Sequence, residues 1–328
     1  MQSAAVRPEP SVLRKAFIAH AGARDFAGSV DIVEIPGFDL DRTIFKTLEG
    51  KAARYIQTKR VGKEPRFHAA AAAEVQEAYS AATADLELPP VSDELMQFLV
   101  DECDFDVEHA DGSFLDHLYF CFEYSAKYYP EHSPLVMLLH SILGTGTNTF
   151  AMTAEKIPAL KALMDPFEWR QTEAFPSVLR LLYSGDLRSE LRANAHRIGS
   201  LRSISMRRVI DDAPIELSGE DLRIALNYQL IHLVDFMPAA NWAAHLNDTS
   251  HILFRDLFAL MGTLGWLDAK VTYTPPSGPK RLVGEPSGLG DRLAAAIPVG
   301  LAEKMAAKSV RRFSEAIGHS LDYSLVWG

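Results

Sequence analysis

Between residues 133 and 144 the chain reads Ser-Pro-Leu-Val-Met-Leu-Leu-His-Ser-Ile-Leu-Gly, and few folds can house that stretch. Leu135, Val136, Met137, Leu138 and Leu139 make the predicted helix apolar on nearly all sides. Such a helix is surrounded by protein rather than laid on a surface. Ser133 and Pro134 mark its start, a cap residue followed by proline at the first helical position. Its end is expected near Gly144. The polar turn Tyr129-Pro130-Glu131-His132 separates it from an earlier helix. Ser113 is placed to cap that helix by accepting from a free backbone N–H. Phe114, Leu118, Phe122 and Ala126 then recur at helical spacing along one face.

Each helix of this pair carries a histidine. His117 lies one turn into the first, and His140 closes the apolar one. Burying imidazole nitrogens costs free energy unless each finds a partner. A backbone carbonyl is one such partner and a metal ion is another. With two histidines on adjacent helices, both readings stay open. The Gly144-Thr145-Gly146-Thr147 run that follows has no lysine and so is not a phosphate loop. It is expected to end the helix and let the backbone pass close to a site.

The totals exclude several classes. Net charge is −10 over 328 residues, with 48% hydrophobic and 23% charged positions. That is ordinary for a soluble globular chain and long enough for a sizeable core. The absence of a large basic field argues against general nucleic-acid binding and against electrostatic attachment to anionic membranes. Cys103 and Cys121 are too few for a disulfide framework and sit among apolar residues as buried thiols. No signal-length apolar segment opens the chain and no run is long enough to span a bilayer, so the cytoplasm is the expected location.

In order along the chain, residues 30–35 alternate as a half-exposed strand closed by Pro36-Gly37. Helices are predicted over 40–59, 67–83 and 92–103, with Arg54, Lys59, Arg60, Lys63 and Arg66 as a basic cluster, most simply solvated. Residues 148–163 read as helix broken at Pro158. Pro166 and Pro176 predict at least two short helices over 164–183. Residues 198–215, where Leu201, Ile204 and Met206 alternate with polar residues, are open to reading as a loop over a site. Ser218 caps a helix running to Pro238, apolar on most sides yet bearing His232 and Asp235, which share a face. Asn241 and His245 follow. Further helices are expected over 254–267 and 292–317, the latter broken near Pro298, with a Pro/Gly-rich connection over 272–290.

Leu115-Asp116-His117-Leu118 and His140-Ser141-Ile142-Leu143-Gly144-Thr145 resemble the paired histidine helices of the HD superfamily. Asp111, Ser113, Glu123 and Pro130 extend a more distant similarity to its myo-inositol oxygenase-type members. The resemblance implies a mostly α fold: an HD-like helical bundle over 110–247, with an N-terminal helical region over 1–109 and a C-terminal extension over 248–328. It also implies a late aspartate ligand, and Asp235 matches that position. The candidate metal set is therefore His117, His140 and Asp235, with His109 and His232 as second-choice ligands or proton carriers. Two histidines and a carboxylate are the ligands of mononuclear non-haem iron sites with open positions for O₂ and substrate. The implied cofactor is a divalent metal, Fe(II) among them, and the implied partner a small-molecule substrate. One departure bears on the chemistry. The HD aspartate after the second histidine is here Ser141, which brings no charge and disfavours a two-metal phosphohydrolase site. The alternative reading is a catalytically silent HD-like protein that binds a ligand or partner.

Overall fold

The computed structural model describes residues 9–20, 30–37, 51, 54–55, 58, 62–103, 108–109, 112–146, 152–237, 247–273 and 288–328. Most of the helix expected over 40–59, residues Asn241 and His245, and most of the Pro/Gly-rich segment lie outside them. The described residues are mostly α-helical. In chain order they form α1 (Val12–His20), β1 (Val30–Glu34), β2 (Lys63–Phe67), α2 (Ala69–Thr83), α3 (Asp93–Glu102), β3 (Glu108–His109), β4 (Gly112–Ser113), α4 (Phe114–Tyr128) and α5 (Leu135–Leu139). Then follow α6 (Ile157–Ala162), α7 (Pro166–Ser184), α8 (Asp186–Ala193), β5 (Leu201–Arg207), β6 (Pro214–Ser218), α9 (Gly219–Val234), α10 (Thr249–Leu264), α11 (Leu289–Ala295), α12 (Val299–Ala316) and β7 (Ser324–Trp327). None of the described helices is long and apolar enough to cross a membrane.

The bundle is built around α9. Leu222, Leu226, Leu230, Ile231, Leu233 and Val234 point in several directions around the helix, and all are buried. A helix with no polar face must be enclosed, and α4, α7, α10 and β5 supply the enclosure. Ser218 starts it as the sequence predicts, its hydroxyl accepting from Asp221 N–H at 3.0 Å. α5 packs its apolar residues against α4 and α7. One core cluster draws Phe17 and Ile18 from α1, Phe120 and Tyr124 from α4, Val178 and Leu182 from α7, and Leu257 and Met261 from α10. A second, around Leu95, Leu99, Leu138, Leu143 and Trp169, lies on the other side of α4 and α5.

Four sequence expectations change. α5 ends at Leu139 rather than near Gly144, and the chain continues through turns with Gly144 at φ +127°. α7 is a single helix across Pro176. Pro166 sits in its first turn, where a missing N–H costs nothing, and Asp165 caps it with a reciprocal bond to Glu168. Pro176 does remove one helical hydrogen bond, at about 3 kcal/mol. Burial of neighbours such as Phe175, Val178 and Leu179, worth roughly 1.5–3 kcal/mol per side chain, outweighs it. Pro158 likewise opens α6 instead of interrupting a longer helix.

The fourth change concerns residues 198–215, which are no loop over the site. A 3-10 turn leads into β5, and β5 pairs antiparallel with β6 on one edge and β7 on the other. Ile204 and Met206 are the buried side of the alternation, and a register shift between Leu201 and Ser203 blurs its start. The early strand at 30–34 finds its partner too, in β2. There Arg66 of the basic cluster is exposed and pairs with Glu64 at 3.4 Å.

Two outcomes follow from this packing. A Cβ at Gly219 would stand 2.2 Å from the Leu201 carbonyl oxygen, a backbone atom that cannot swing aside. Gly219→Ala should therefore cost on the order of 2–4 kcal/mol in urea unfolding, as overpacking of a core junction does. His251 on α10 is fully buried, and burial, with Arg255 beside it, lowers its pKa from 6.5 to about 4. Between those values the unfolded chain binds a proton that the folded chain refuses, so stability falls as pH falls from about 6.5 to about 4, by up to about 3 kcal/mol. Chemical denaturation of wild type against His251→Gln across that window should show a shallower loss in the variant.

Candidate metal centre

Three elements deliver side chains to one buried point. His117 comes from the first turns of α4, His140 is the residue that ends α5, and Asp235 ends α9 with His232 one turn before it. The two histidines and the aspartate, far apart in sequence, meet in space. His117 Nε2 lies 3.0 Å from His140 Nε2, and His117 Nδ1 lies 2.6 Å from Asp235 Oδ2. His117, His140 and Asp235 are each at most 1% exposed.

The outer nitrogens fix the ring chemistry. His140 Nδ1 is 2.6 Å from the Met137 carbonyl oxygen, which can only accept, so Nδ1 carries the hydrogen. His117 Nδ1 faces a carboxylate oxygen and is likewise the donor. In a neutral imidazole the other nitrogen then offers a lone pair. Both Nε2 atoms therefore turn lone pairs toward one space from 3.0 Å apart. Two such acceptors repel unless a cation stands between them, either a proton or a metal ion. With zinc-type metal–nitrogen bonds of about 2.0–2.1 Å, ligands subtending roughly 90–110° are about 2.9–3.4 Å apart, so the observed separation fits two ligands of one ion. A histidine whose far nitrogen donates to a carboxylate or carbonyl is the usual oriented metal ligand.

Asp235 therefore stands behind His117. Its Oδ2 meets Nδ1, on the side of the ring away from His140, and its Oδ1 accepts from Arg14 Nε at 2.7 Å. In this geometry it orients the His117 ring, where the resemblance implies that it ligates directly. A third donor close to the histidine pair is Cys121. Donor atoms of His117, Cys121 and His140 lie within 4.8 Å of one another, and this buried cluster can hold a metal ion. Burial raises the Cys121 thiol pKa well above the usual range; the Asp235 charge adds to this and Arg14 opposes it. The thiol thus stays protonated near neutral pH. Cys121 is four residues after His117, so the helical i,i+4 spacing was the signal for it.

His232 joins the group through its ring. It lies edge-on to His140, centroids 4.7 Å apart, and to His117 at 5.3 Å, with Phe175 and Phe236 closing the sides. His109 lies in β3, paired with Gly112, and its side chain is outside the described residues. Ser141 is buried beside His140. Glu123 is buried too and accepts from Tyr79 Oη at 2.8 Å, tying α2 to α4. The glycine run passes tightly over α7: a Cβ at Gly146 would meet the Tyr183 ring at 3.2 Å, and Thr145 O accepts from Arg180 Nε at 2.9 Å.

Sequence reasoning missed Arg14 and the part played by Asp116. Arg14 is fully buried, and its guanidinium reaches Asp235 Oδ2 as well, at 3.3 Å from Nη2, while Nη1 donates to Asp116. Nothing in Val12-Leu13-Arg14-Lys15 marks the arginine as internal, because its partners lie on α4 and at the end of α9.

No protein-family model, curated protein or solved structure matches the chain.

Asp235 accepts from a buried guanidinium and a buried imidazole together, so its removal takes an acceptor from both. Asp235→Ala should destabilise the fold by about 3–5 kcal/mol, the cost of breaking a buried ion pair from one side. Equilibrium unfolding of the variant against wild type measures it.

Proposed function

We propose that the protein is a metal-dependent enzyme with an HD-like centre, acting on a small molecule, with oxidation at a single non-haem iron favoured over hydrolysis. The observation that carries this is the pair of Nε2 lone pairs converging at 3.0 Å, each fixed from behind by a carboxylate or a carbonyl. Charge supports a cation there. Arg14 against Asp116 and Asp235 leaves that trio at a formal −1, buried beside the pair. Ser141 adds no charge, which favours one ion over two.

His117 and His140 would hold the ion through Nε2; the Cys121 thiol belongs to the same buried cluster, its sulfur 4.0 Å from His117 Nδ1. Imidazole donors suit iron, zinc, copper and nickel, and iron held this way supplies O₂ chemistry at its open positions. The remaining work falls to the chain itself. Asp235 keeps the His117 proton on Nδ1, and the Met137 carbonyl keeps that of His140 on Nδ1. The His232 ring, against both ligands, is placed to take up or return a proton as a substrate reacts. Phe175 and Phe236 exclude water from the space.

The second reading is a catalytically silent protein of the same architecture that binds a ligand or partner. The burial of His117, Cys121, His140 and Asp235 favours it, since a substrate needs a path to them. Elemental analysis of purified protein separates the two. About one transition-metal ion per chain, lost in His140→Ala and bound more tightly in Ser141→Asp, is the result expected of the enzyme. Wild-type protein that stays metal-free after anaerobic incubation with Fe(II), Co(II) or Zn(II) overturns it.

A further inference from the structure

We infer that Arg14, held by Asp116, is the positioning residue of the centre: it locks the Asp235 carboxylate so that His117 presents Nε2, and not Nδ1, to whatever His140 shares. This rests on the metal reading for its use but not for its geometry.

The argument begins with the fork of the guanidinium. Arg14 Nε meets Asp235 Oδ1 at 2.7 Å and Nη2 reaches Oδ2 at 3.3 Å, so both oxygens are engaged from one side. A planar two-point contact fixes the carboxylate plane, which a single ammonium cannot do. The plane in turn aims Oδ2 at His117 Nδ1, 2.6 Å away. Freed from Arg14, Asp235 could rotate about its side chain. His117 would then lose the acceptor that selects its tautomer, and with it the lone pair directed at His140.

Asp116 fixes Arg14 from the opposite side, taking Nη1. It immediately precedes His117 on α4, so the same helical turn that carries the ligand also holds the residue that orients it. The backbone of Arg14 is equally well fixed. On α1, Lys15 Nζ donates to Gln76 Oε1 at 2.6 Å, and the Ile18 carbonyl accepts from Tyr128 Oη at 2.5 Å. Phe17 and Ile18 enter the main core. The N-terminal helix thus completes from outside the bundle a centre whose imidazoles come from inside it. An arginine kept only to neutralise two aspartates would need none of this directionality.

The test uses the full-length protein with Arg14→Lys, which keeps the charge and loses the fork. The nitrogen-15 spectrum of the metal-free protein reads the His117 tautomer, and Co(II) titration followed by its d–d absorption reads affinity and ligand geometry. Expected are a mixed His117 tautomer, a 10–100-fold loss of Co(II) affinity, as for other residues that orient metal ligands, and altered cobalt bands. A His117 spectrum identical to wild type together with Co(II) affinity within twofold overturns the inference. If wild type takes up no cobalt, the metal reading falls and the tautomer alone decides this one. Should circular dichroism show Arg14→Lys unfolded, Asp116→Asn takes its place: it loosens Arg14 without touching Asp235. The same tautomer mixing is then expected, and an unchanged His117 spectrum overturns the inference.

Discussion

A charged group in a dry core must bring its partners with it. Arg14 has no exposure, and a guanidinium there is tolerable only if its donors end on acceptors that are themselves fixed. That requirement links elements far apart in sequence. Arg14 needs Asp235, 221 residues on, and Asp116, 102 residues on. Asp235 in turn satisfies His117, and His117 faces His140. α1, α4 and the end of α9 are thereby pinned to one point by buried polar bonds, and His140 brings the end of α5 against them.

The apolar packing around that point supplies the enclosure that makes those bonds strong. α9 is buried nearly all round and ends where it reaches Asp235. α5 is short and apolar and stops at His140, whose Nδ1 turns back to the carbonyl of Met137 in its own last turn. Each helix therefore places its polar residue at the end, where backbone groups are free to help, and leaves its body to hydrophobic contacts. Low local dielectric strengthens hydrogen bonds and raises the penalty for leaving one unmade. The same exclusion of water that stabilises the bundle thus strengthens the polar bonds of the centre.

The legible part of this was local. Apolar spacing and capping residues marked α4, α5 and α9 and the histidines on them, because those signals lie within a few turns of the chain. The family resemblance drew Asp235 into the set. What stayed hidden depends on tertiary packing. Pro176 looks like a helix breaker until the buried face of α7 is known to outweigh it. Ile204 and Met206 form a strand because β7, from the far end of the chain, closes the sheet. Asp235 reads as a ligand by position, and only the coordinates set it on the Nδ1 side of His117 with Arg14 beyond it. Arg14 itself resembles a surface residue, since a buried arginine differs from an exposed one only in what the rest of the fold brings to it.

The remaining physical choice is between a proton and a metal ion as the cation between His117 and His140. Both satisfy two facing lone pairs at 3.0 Å, and both are favoured by the −1 of the Arg14–Asp116–Asp235 trio. They differ in how many donors they need. A shared proton is complete with two nitrogens. A metal ion of the zinc or iron type needs three or four ligands. Cys121 has its sulfur within ligand-cluster range of both histidines, and the His232 ring lies edge-on to each. Polar groups of this kind are costly to bury, and well-packed apolar side chains in their places would serve stability as well or better. Phe175 and Phe236 already line the same space. An excess of donors over what a proton requires, kept inside an aromatic wall, is the composition of a site that can hold a metal.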